Sequence, residues 1–314
     1  MQRILEHVKP ERRNKEFIHN PTHAIFWQRP FHFETVEQFL SMFIPWIVPA
    51  LKLSGFYERG QRNAAALRTT RLTICDPRLP RSFDGFRLLF MSDLHIDGND
   101  AVVPPLCAAL DAIDADVCLL GGDYRFKMHG EFRRMMDHFH AFVPHIRCKE
   151  GVVGILGNHD SWEMIKPFER LGIVMLINEA VNIERGGERI WILGVDDPHY
   201  YRCDDYHKAN RRVPERAFRI LLAHSTNALH KFTNEPINLY LCGHTHAGQI
   251  SVPLVGPVIT HSPLKGAFIY GRWQYRHIPG YTSSGVGTSG VNVRYNTWPE
   301  VVVITLQRGA SKNY

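Results

Sequence analysis

Five apolar runs of this 314-residue chain each end in a short polar loop that carries aspartate, asparagine or histidine. The loops are SDLH (92–95), GGD (121–123), GNHD (157–160), AHS (223–225) and GHTH (243–246). Short apolar runs bounded by glycine are typical of buried strands. Because ligands collect beyond the carboxyl ends of the strands in an α/β sheet, we expect the five loops to converge on one edge.

The spacing between these runs predicts an α/β fold. Helical patterns cover residues 103–116, 132–143 and 161–173, whereas strand-like runs separated by glycine and serine dominate after residue 174. Such an order predicts an α/β layered sandwich. We predict an N-terminal extension over 1–83, a main domain over 84–308 and a tail over 309–314.

The side chains in the five loops indicate a metal site. Carboxylate, carboxamide and imidazole groups together suit divalent Mn, Fe, Zn or Ni. A one-residue skip places Asp93 and His95 on the same side of an extended segment, and the same holds for His244 and His246. Taken singly, each histidine is as typical of a packed or solvated residue as of a ligand. The ordered set, each member closing an apolar run, favours the metal site.

The five motifs in this order resemble those of the calcineurin-like metallophosphoesterase superfamily, over roughly residues 84–307. The stretches GHTHAGQI, GVDDP, FRILLAHS, SSGVGTSG and WPEVVVITL are also similar to a bacterial membrane-associated branch. Ala247 departs from that branch, which usually has glycine there. The resemblance implies a four-layer α-β-β-α sandwich, the metallo-dependent phosphatase fold, and hydrolysis of a phosphoric ester or pyrophosphate.

The resemblance also implies a role for each loop residue. Two divalent ions would be held by three residues each and share one bridging carboxylate: Asp93, His95 and His246 for the first ion, Asn158, His224 and His244 for the second, and Asp123 as the bridge. His159 would face the scissile phosphate as a catalytic residue, and Asp160 would orient His159 or a loop amide. A metal-bridging hydroxide would then attack phosphorus in line.

Two inserts are candidates for substrate recognition, at residues 124–142 and 196–213. We predict substrate contacts from Arg125, Tyr200 and Arg202, because arginine pairs with phosphate and tyrosine stacks on a base or lines an acyl channel. For each basic residue taken alone, a solvated surface charge is the more common situation.

Residues 39–56 form an apolar stretch containing Trp46. The stretch is too short to span a bilayer, and Pro45 and Pro49 would disturb a helix. Residues 51–81 then carry seven Lys/Arg against two acidic residues, a net charge of 7 − 2 = +5. An apolar patch beside clustered basic residues is typical of an interfacial anchor on an anionic membrane. The alternative is a helix that packs on the core with a solvated charged face.

The cysteines and the first residues bear on location. Six scattered cysteines without CxxC pairs fit a reducing compartment. Residues 1–38 show no secretory pattern, and the pair Arg12-Arg13 is not followed by an apolar stretch. We therefore expect a cytoplasmic protein, peripheral on the inner membrane.

One subgroup of the membrane-associated branch is UDP-2,3-diacylglucosamine pyrophosphatase, which produces lipid X and UMP for lipid A. Enzymes of that subgroup often carry arginine where this chain has His159, so the histidine points away from the subgroup, though not from its activity. The predicted substrate is a membrane lipid-related phosphodiester or pyrophosphate, with this lipid as its sharpest form. The alternatives are a general phosphodiesterase or phosphatase, a nuclease permitted by the net charge of +6, and a non-catalytic scaffold. A nucleic-acid partner is disfavoured because no nucleic-acid module is visible, and the sequence does not indicate an oligomeric state.

Overall fold

Two six-stranded sheets lie face to face, and helices cover their outer faces. This architecture is seen in a computed structural model that describes residues 7–19 and 44–309. Residues 39–43 of the predicted apolar anchor and 310–314 of the predicted tail lie outside the described residues. The four-layer α-β-β-α sandwich expected from the sequence is confirmed.

The elements of the described chain are as follows. The α-helices are α1 (Pro10–His19), α2 (Ile44–Leu53), α3 (Phe56–Ala65), α4 (Val103–Asp111), α5 (Arg133–Phe142), α6 (Ile165–Arg170) and α7 (Tyr206–Asn210). The strands are β1 (Arg68–Cys75), β2 (Arg87–Met91), β3 (Val117–Leu120), β4 (Val152–Gly154), β5 (Ile173–Met175), β6 (Glu179–Arg185), β7 (Glu188–Gly194), β8 (Phe218–Leu222), β9 (Leu239–Cys242), β10 (Ser251–Val252), β11 (Gly256–Pro257), β12 (Gly271–Tyr275), β13 (Ile278–Thr282) and β14 (Glu300–Gln307).

The first sheet has the order β1-β14-β2-β3-β4-β5. Strands β2 to β5 run parallel, and β14 enters between β1 and β2, antiparallel to β2 and parallel to β1. The second sheet has the order β12-β13-β9-β8-β7-β6, with β13, β9, β8 and β7 parallel. The carboxyl ends of β2, β3 and β4 therefore share one edge, as do those of β8 and β9 in the other sheet.

The central strands are largely apolar because both of their faces are covered. Side chains of both inner faces form one cluster that includes Leu88, Phe90, Ile220 and Leu222. The outer face of the first sheet packs on α4, α5 and α6, and that of the second packs on α7 and a 3-10 helix at Thr226–Lys231. Burial of each such side chain contributes roughly 1.5–3 kcal/mol. The layers thereby hold the strand ends, and the loops that follow them, in fixed positions.

Two details of the sheets differ from what the sequence suggested. Part of the predicted N-terminal extension joins the first sheet, because residues 68–75 form edge strand β1 beside β14. The apolar run 174–183, expected to be one strand, divides between β5 in the first sheet and β6 in the second. Asn178, in the left-handed region with φ 58°, lies at the turn between them. Its amide side chain donates to the carbonyl of Cys203 and accepts from the amide of Asp196, which fixes the turn.

Candidate metal centre

The five polar loops converge on one edge of the sandwich. Each follows directly on a central strand: β2, β3 and β4 of the first sheet, and β8 and β9 of the second. Three overlapping groups of side chains offer ligand atoms that lie within 4.8 Å of one another: Asp93, His95 and His246; His95, Asp123 and His159; Asp123, His224 and His244. The predicted convergence is therefore what the fold produces.

One carboxylate lies at the centre of these groups. The Oδ2 atom of Asp123 is 3.3 Å from Nε2 of His224, 3.6 Å from Nε2 of His95 and 3.9 Å from Nε2 of His159. The other oxygen, Oδ1, accepts a hydrogen bond of 2.8 Å from the amide of His159. A single carboxylate oxygen thus faces histidines from three different loops, the position that a bridging ligand requires.

Two further pairs of ligand atoms extend the centre to either side of Asp123. Oδ1 of Asp93 is 3.6 Å from Nε2 of His246 and 3.9 Å from Nε2 of His224. Nδ1 of His244 is 3.2 Å from Nε2 of His224. Ring nitrogens at this separation could both reach one cation.

The ring orientation of three histidines is fixed by carbonyl groups. Nδ1 of His95 is 2.7 Å from the carbonyl of Arg125, and Nδ1 of His224 is 2.9 Å from the carbonyl of Gly121. Nδ1 of His159 is likewise 2.7 Å from the carbonyl of Phe126. Because a carbonyl only accepts, each Nδ1 carries a proton, and each Nε2 is turned toward the centre. Such hydrogen bonds orient metal-binding histidines in proteins.

The side chains present fit a metal. Among the buried side-chain polar atoms that have no hydrogen-bond partner in the described residues, three belong to predicted ligands: Nε2 of His95, Oδ1 of Asn158 and Nε2 of His244. Buried polar atoms without a partner are rare and destabilising, so a cluster of them indicates an unseen ligand. Oδ1 of Asn158 and Nε2 of His95 are also among the atoms that the sequence predicts to hold cations.

The charge state of the histidines also fits. Burial lowers the pKa of His95 to about 3 and lowers the pKa values of His244 and His246 well below the usual range, so all three are neutral at pH 7. Burial would also lower the pKa of His224, but the charges of Asp123 and Asp93 outweigh it and raise that pKa to about 10. A proton on His224 thus sits beside the two carboxylates, where a divalent ion would otherwise balance their charge.

The loop backbones are held in a strained conformation. Asp93, His95, Asp123, His244 and His246 all have φ between 38° and 72°, in the left-handed region that residues with a Cβ rarely adopt. Strain of this kind gathers at functional sites, where the surrounding structure enforces it. Two glycines make room for it. A Cβ on Gly243 would lie 2.0 Å from Oδ2 of Asp93, and a Cβ on Gly157 would lie 2.2 Å from Oδ1 of Asp123.

Comparison with known proteins agrees with this geometry. Residues 86–248 match the family model of the calcineurin-like phosphoesterases, and this match covers more than half of the chain. The chain belongs to the calcineurin-like phosphoesterase family. It is therefore a phosphoester hydrolase with a candidate metal centre.

Two bacterial relatives of this phosphoesterase span most of its length. It is 33% identical over 238 residues to "Phosphodiesterase YaeI" of Escherichia coli, which covers 70% of this chain and 82% of that protein. It is 29% identical over 252 residues to "Uncharacterized metallophosphoesterase YkuE" of Bacillus subtilis, covering 77% and 86%.

Asp160, predicted to orient His159 or a loop amide, contacts loop amides. Its Oδ2 accepts hydrogen bonds of 2.8 Å from the amides of Asp123 and Gly157, and its Oδ1 accepts one of 2.8 Å from the amide of Tyr124. These bonds join the GGD loop to the GNHD loop. The imidazole of His159 is oriented by the carbonyl of Phe126. We therefore propose a positioning role for Asp160, through loop amides.

The three residues predicted to contact the substrate differ in burial and in their contacts. Arg125 is buried, and its guanidinium donates to the carbonyls of His159, Gly130 and Met128, which ties the first insert to the GNHD loop. A guanidinium engaged in this way suits a positioning role better than phosphate binding. Tyr200 is half-buried and Arg202 is exposed, on the loop that follows Val195. Their contact with substrate stays a prediction.

Three residues near the centre escaped the sequence reasoning. The ring of His199, in the second insert, lies 4.2 Å from that of the predicted ligand His244. Arg294 is fully buried and donates to the carbonyls of Ser284 and Gly287 at 2.6 Å, and to that of His246 at 3.3 Å. The sequence singled out the SSGVGTSG stretch (283–290), but the hydrogen bonds from Arg294 to its carbonyls are seen only in the fold.

Arg12 is the third of these residues, and it docks α1 behind the GNHD loop. Its guanidinium is fully buried and donates to the carbonyls of Asp160 at 2.6 Å and Gly157 at 3.1 Å, and it pairs with the carboxylate of Asp196. It also stacks on the ring of Tyr201, 4.1 Å from the centroid. The second arginine of the pair, Arg13, is half-buried.

Replacing Arg12 by methionine is expected to destabilise the protein by about 3–5 kcal/mol. The change leaves the carboxylate of Asp196 buried without its cation, and breaking a buried ion pair from one side has this magnitude. Urea unfolding measures it, and Arg13→Met serves as the matched control, with an expected change below about 1 kcal/mol. Equal effects of the two substitutions would contradict the role given to Arg12.

Proposed function

We propose that this phosphoesterase hydrolyses a phosphodiester or pyrophosphate bond with two divalent ions, and that its substrate is related to a membrane lipid. The observation that carries the metal-dependent part is the position of Asp123, whose Oδ2 lies 3.3–3.9 Å from ring nitrogens of three loops. A shared carboxylate oxygen lets two cations approach within about 3.5–4 Å.

The residues around Asp123 divide into two sets. Asp93, His95 and His246 would hold one ion, and Asn158, His224 and His244 the other, with Asp123 common to both. When bound, two such ions polarise a phosphoryl oxygen and lower the pKa of water. The donor set of carboxylate, amide oxygen and imidazole suits Mn, Fe, Zn or Ni.

His159 is the residue best placed to donate a proton to the leaving group of the substrate. Its Nδ1 is held by the carbonyl of Phe126, and its Nε2 points toward the centre at 3.9 Å from Asp123 Oδ2. Its side chain is not completely buried, unlike that of His95. A protonated Nε2 would donate to the leaving oxygen as the ester bond breaks, which is worth about 10²–10⁴-fold in rate.

Two observations support a lipid-related diester. A relative is called a phosphodiesterase. Trp46, Leu53 and Phe56, in the described part of the apolar stretch, leave their side chains exposed, as an interfacial anchor requires. No helix within residues 7–19 and 44–309 is long and apolar enough to cross a bilayer. UDP-2,3-diacylglucosamine, at the cytoplasmic face of the inner membrane, is the substrate that we propose to test first.

Metal removal tests the proposal. The purified protein is treated with a chelator, dialysed, and assayed on bis(p-nitrophenyl) phosphate and on UDP-2,3-diacylglucosamine, before and after Mn²⁺ is returned. We expect loss of at least about 10³-fold in activity without metal, because the two ions provide several kcal/mol of transition-state stabilisation. Elemental analysis should give two ions per chain in the active protein.

The two substrates test the lipid-related substrate separately from the metal-dependent hydrolysis. Much faster turnover of the lipid than of the small ester supports the lipid-related substrate. Turnover of the small ester alone would leave a general phosphodiesterase. Full activity in the chelated protein, with no ion by elemental analysis, would overturn the metal-dependent reaction.

A further inference from the structure

A short hairpin beside the metal centre exposes its most apolar residues. Strands β10 and β11 are joined through a tip at which Leu254 is fully exposed and Val255 is 78% exposed. Leu254 has φ 69°, a left-handed conformation that is rare for a leucine. Val252 and Val258 on either side of the tip are also partly exposed. The backbone of the hairpin thus places a row of aliphatic side chains in solvent.

This hairpin lies next to the exposed end of the N-terminal helices. The hydroxyl of Tyr295 donates a hydrogen bond of 2.6 Å to the carbonyl of Phe56, the first residue of α3. The carbonyl of the same tyrosine accepts from the amide of Ser251, at the base of the hairpin, at 3.0 Å. Tyr295 therefore links Phe56 to the base of the hairpin, and Leu53, which is 90% exposed, lies three residues before Phe56. We call these two segments together the apolar rim, comprising Leu53, Phe56, Val252, Leu254 and Val255.

The apolar rim is bordered by positive charge. Residues 52–71 carry five exposed basic side chains against one acidic side chain, Glu58: Lys52, Arg59, Arg62, Arg68 and Arg71. Apolar side chains at the level of the acyl boundary, with Lys and Arg at the level of the headgroups, are the pattern of a surface that docks on an anionic bilayer. The charge of this region thus favours a lipid surface as the occupant of the rim.

The hairpin also borders a cavity beside the metal centre. The cavity has a volume of about 510 Å³. Its wall includes Ser251 and Pro257 of the hairpin, Arg68, Trp298, and Ala247, which follows the predicted ligand His246. The guanidinium of Arg68 stacks on the ring of Trp298 at 3.9 Å. The wall of the cavity thus includes residues of the hairpin that carries part of the apolar rim and a residue of a metal-centre loop.

We propose that the tip of the hairpin, residues 252–255, inserts into an anionic membrane as a second lipid contact beside the helix end at Leu53 and Phe56. The cavity between the hairpin and Trp298 then opens at the lipid surface and receives the part of the substrate that stays in the membrane. This inference rests on the proposed function, since it assigns a lipid route to the same site.

Vesicle flotation tests the inference with the full chain. The probes are vesicles of phosphatidylcholine alone and vesicles with phosphatidylglycerol added, and the variant is L254S/V255S. We expect the wild type to float with the anionic vesicles, and the variant to lose at least about tenfold in partitioning, because two aliphatic side chains no longer enter the bilayer. Turnover of bis(p-nitrophenyl) phosphate should stay unchanged in the variant, which shows that the fold and the centre are intact.

Val174→Ser is the matched control. Val174 is 43% exposed on β5, the edge strand farthest from β1 in the first sheet. The Val174→Ser variant should float like the wild type. Equal flotation of L254S/V255S and the wild type would overturn the inference. So would a wild type that binds neither kind of vesicle but forms a dimer that L254S/V255S abolishes, because the occupant would then be a second copy. Loss of flotation in the variant supports the inference even if UDP-2,3-diacylglucosamine is not hydrolysed, which would count only against that substrate.

Discussion

Replacing Asp123 by asparagine is expected to lower activity at least about 10³-fold and to reduce the metal content below two ions per chain. The asparagine retains one neutral oxygen, which can still accept the amide of His159 but cannot hold two cations close together. Loss of a shared negative charge removes several kcal/mol of transition-state stabilisation, which corresponds to this factor. Steady-state kinetics on bis(p-nitrophenyl) phosphate and elemental analysis of the same preparation measure both effects.

Asp76→Asn is the control for the loss of a buried carboxylate. Asp76 is buried after the end of β1, at the opposite edge of the sandwich, where its carboxylate accepts from Arg78 and Asn238. The Asp76→Asn variant should differ from wild type in stability, while its metal content and its activity per folded molecule stay close to wild type. An Asp123→Asn variant that keeps two ions and more than a tenth of the activity would refute the bridging role.

Replacing His159 by glutamine is expected to lower kcat by about 10²–10⁴-fold on an ester with an alkyl leaving group, while the protein keeps its metal. An alkoxide leaves only when it receives a proton, and Nε2 of His159 is placed to give one. A p-nitrophenolate leaves without that proton, so the same variant should lose less than about tenfold on bis(p-nitrophenyl) phosphate. The ratio of the two losses is the quantity to measure.

His145→Gln serves as the matched control for this pair of assays. His145 is half-buried, and its Nδ1 is 3.0 Å from a carboxylate oxygen of Asp111, remote from the five loops. It should leave both rates unchanged. If His159→Gln instead loses metal, His159 is a ligand, as its place in a group with His95 and Asp123 permits. Equal losses on both esters would argue against proton donation.

The edge where the loops meet could be predicted because its signal is local. Each loop ends an apolar run, and parallel strands buried on both faces are continuous in hydrophobicity. Since such strands share a direction, the positions of Asp93, Asp123 and His224 follow from the fold class alone. The resemblance then added the roles, which the geometry around Asp123 supports.

The parts that sequence reasoning missed depend on long-range contacts. β1 alternates in burial, with Ile74 buried and Arg71 and Thr73 exposed, but its two arginines belong to the basic segment 51–81, which suggested a membrane anchor or a solvated face. The role of Arg12 depends on where α1 docks, and no local pattern specifies a partner such as Asp196. The hairpin tip at Leu254 was missed because a short apolar stretch is as typical of a buried strand as of an exposed turn.

The place of β14 in the first sheet has a consequence for how the protein is made. A ribosome completes β5 roughly 130 residues before it completes β14, yet β14 separates β1 from β2. Translation adds about 5–20 residues per second, so the first sheet lacks the strand between β1 and β2 for roughly 7–26 s. The unpaired backbone groups on both sides of this gap can bind chaperones or pair with strands other than β14. Nascent chains stalled before residue 300 should therefore be cut rapidly by protease, and resistance should arise only after Gln307 has left the exit tunnel.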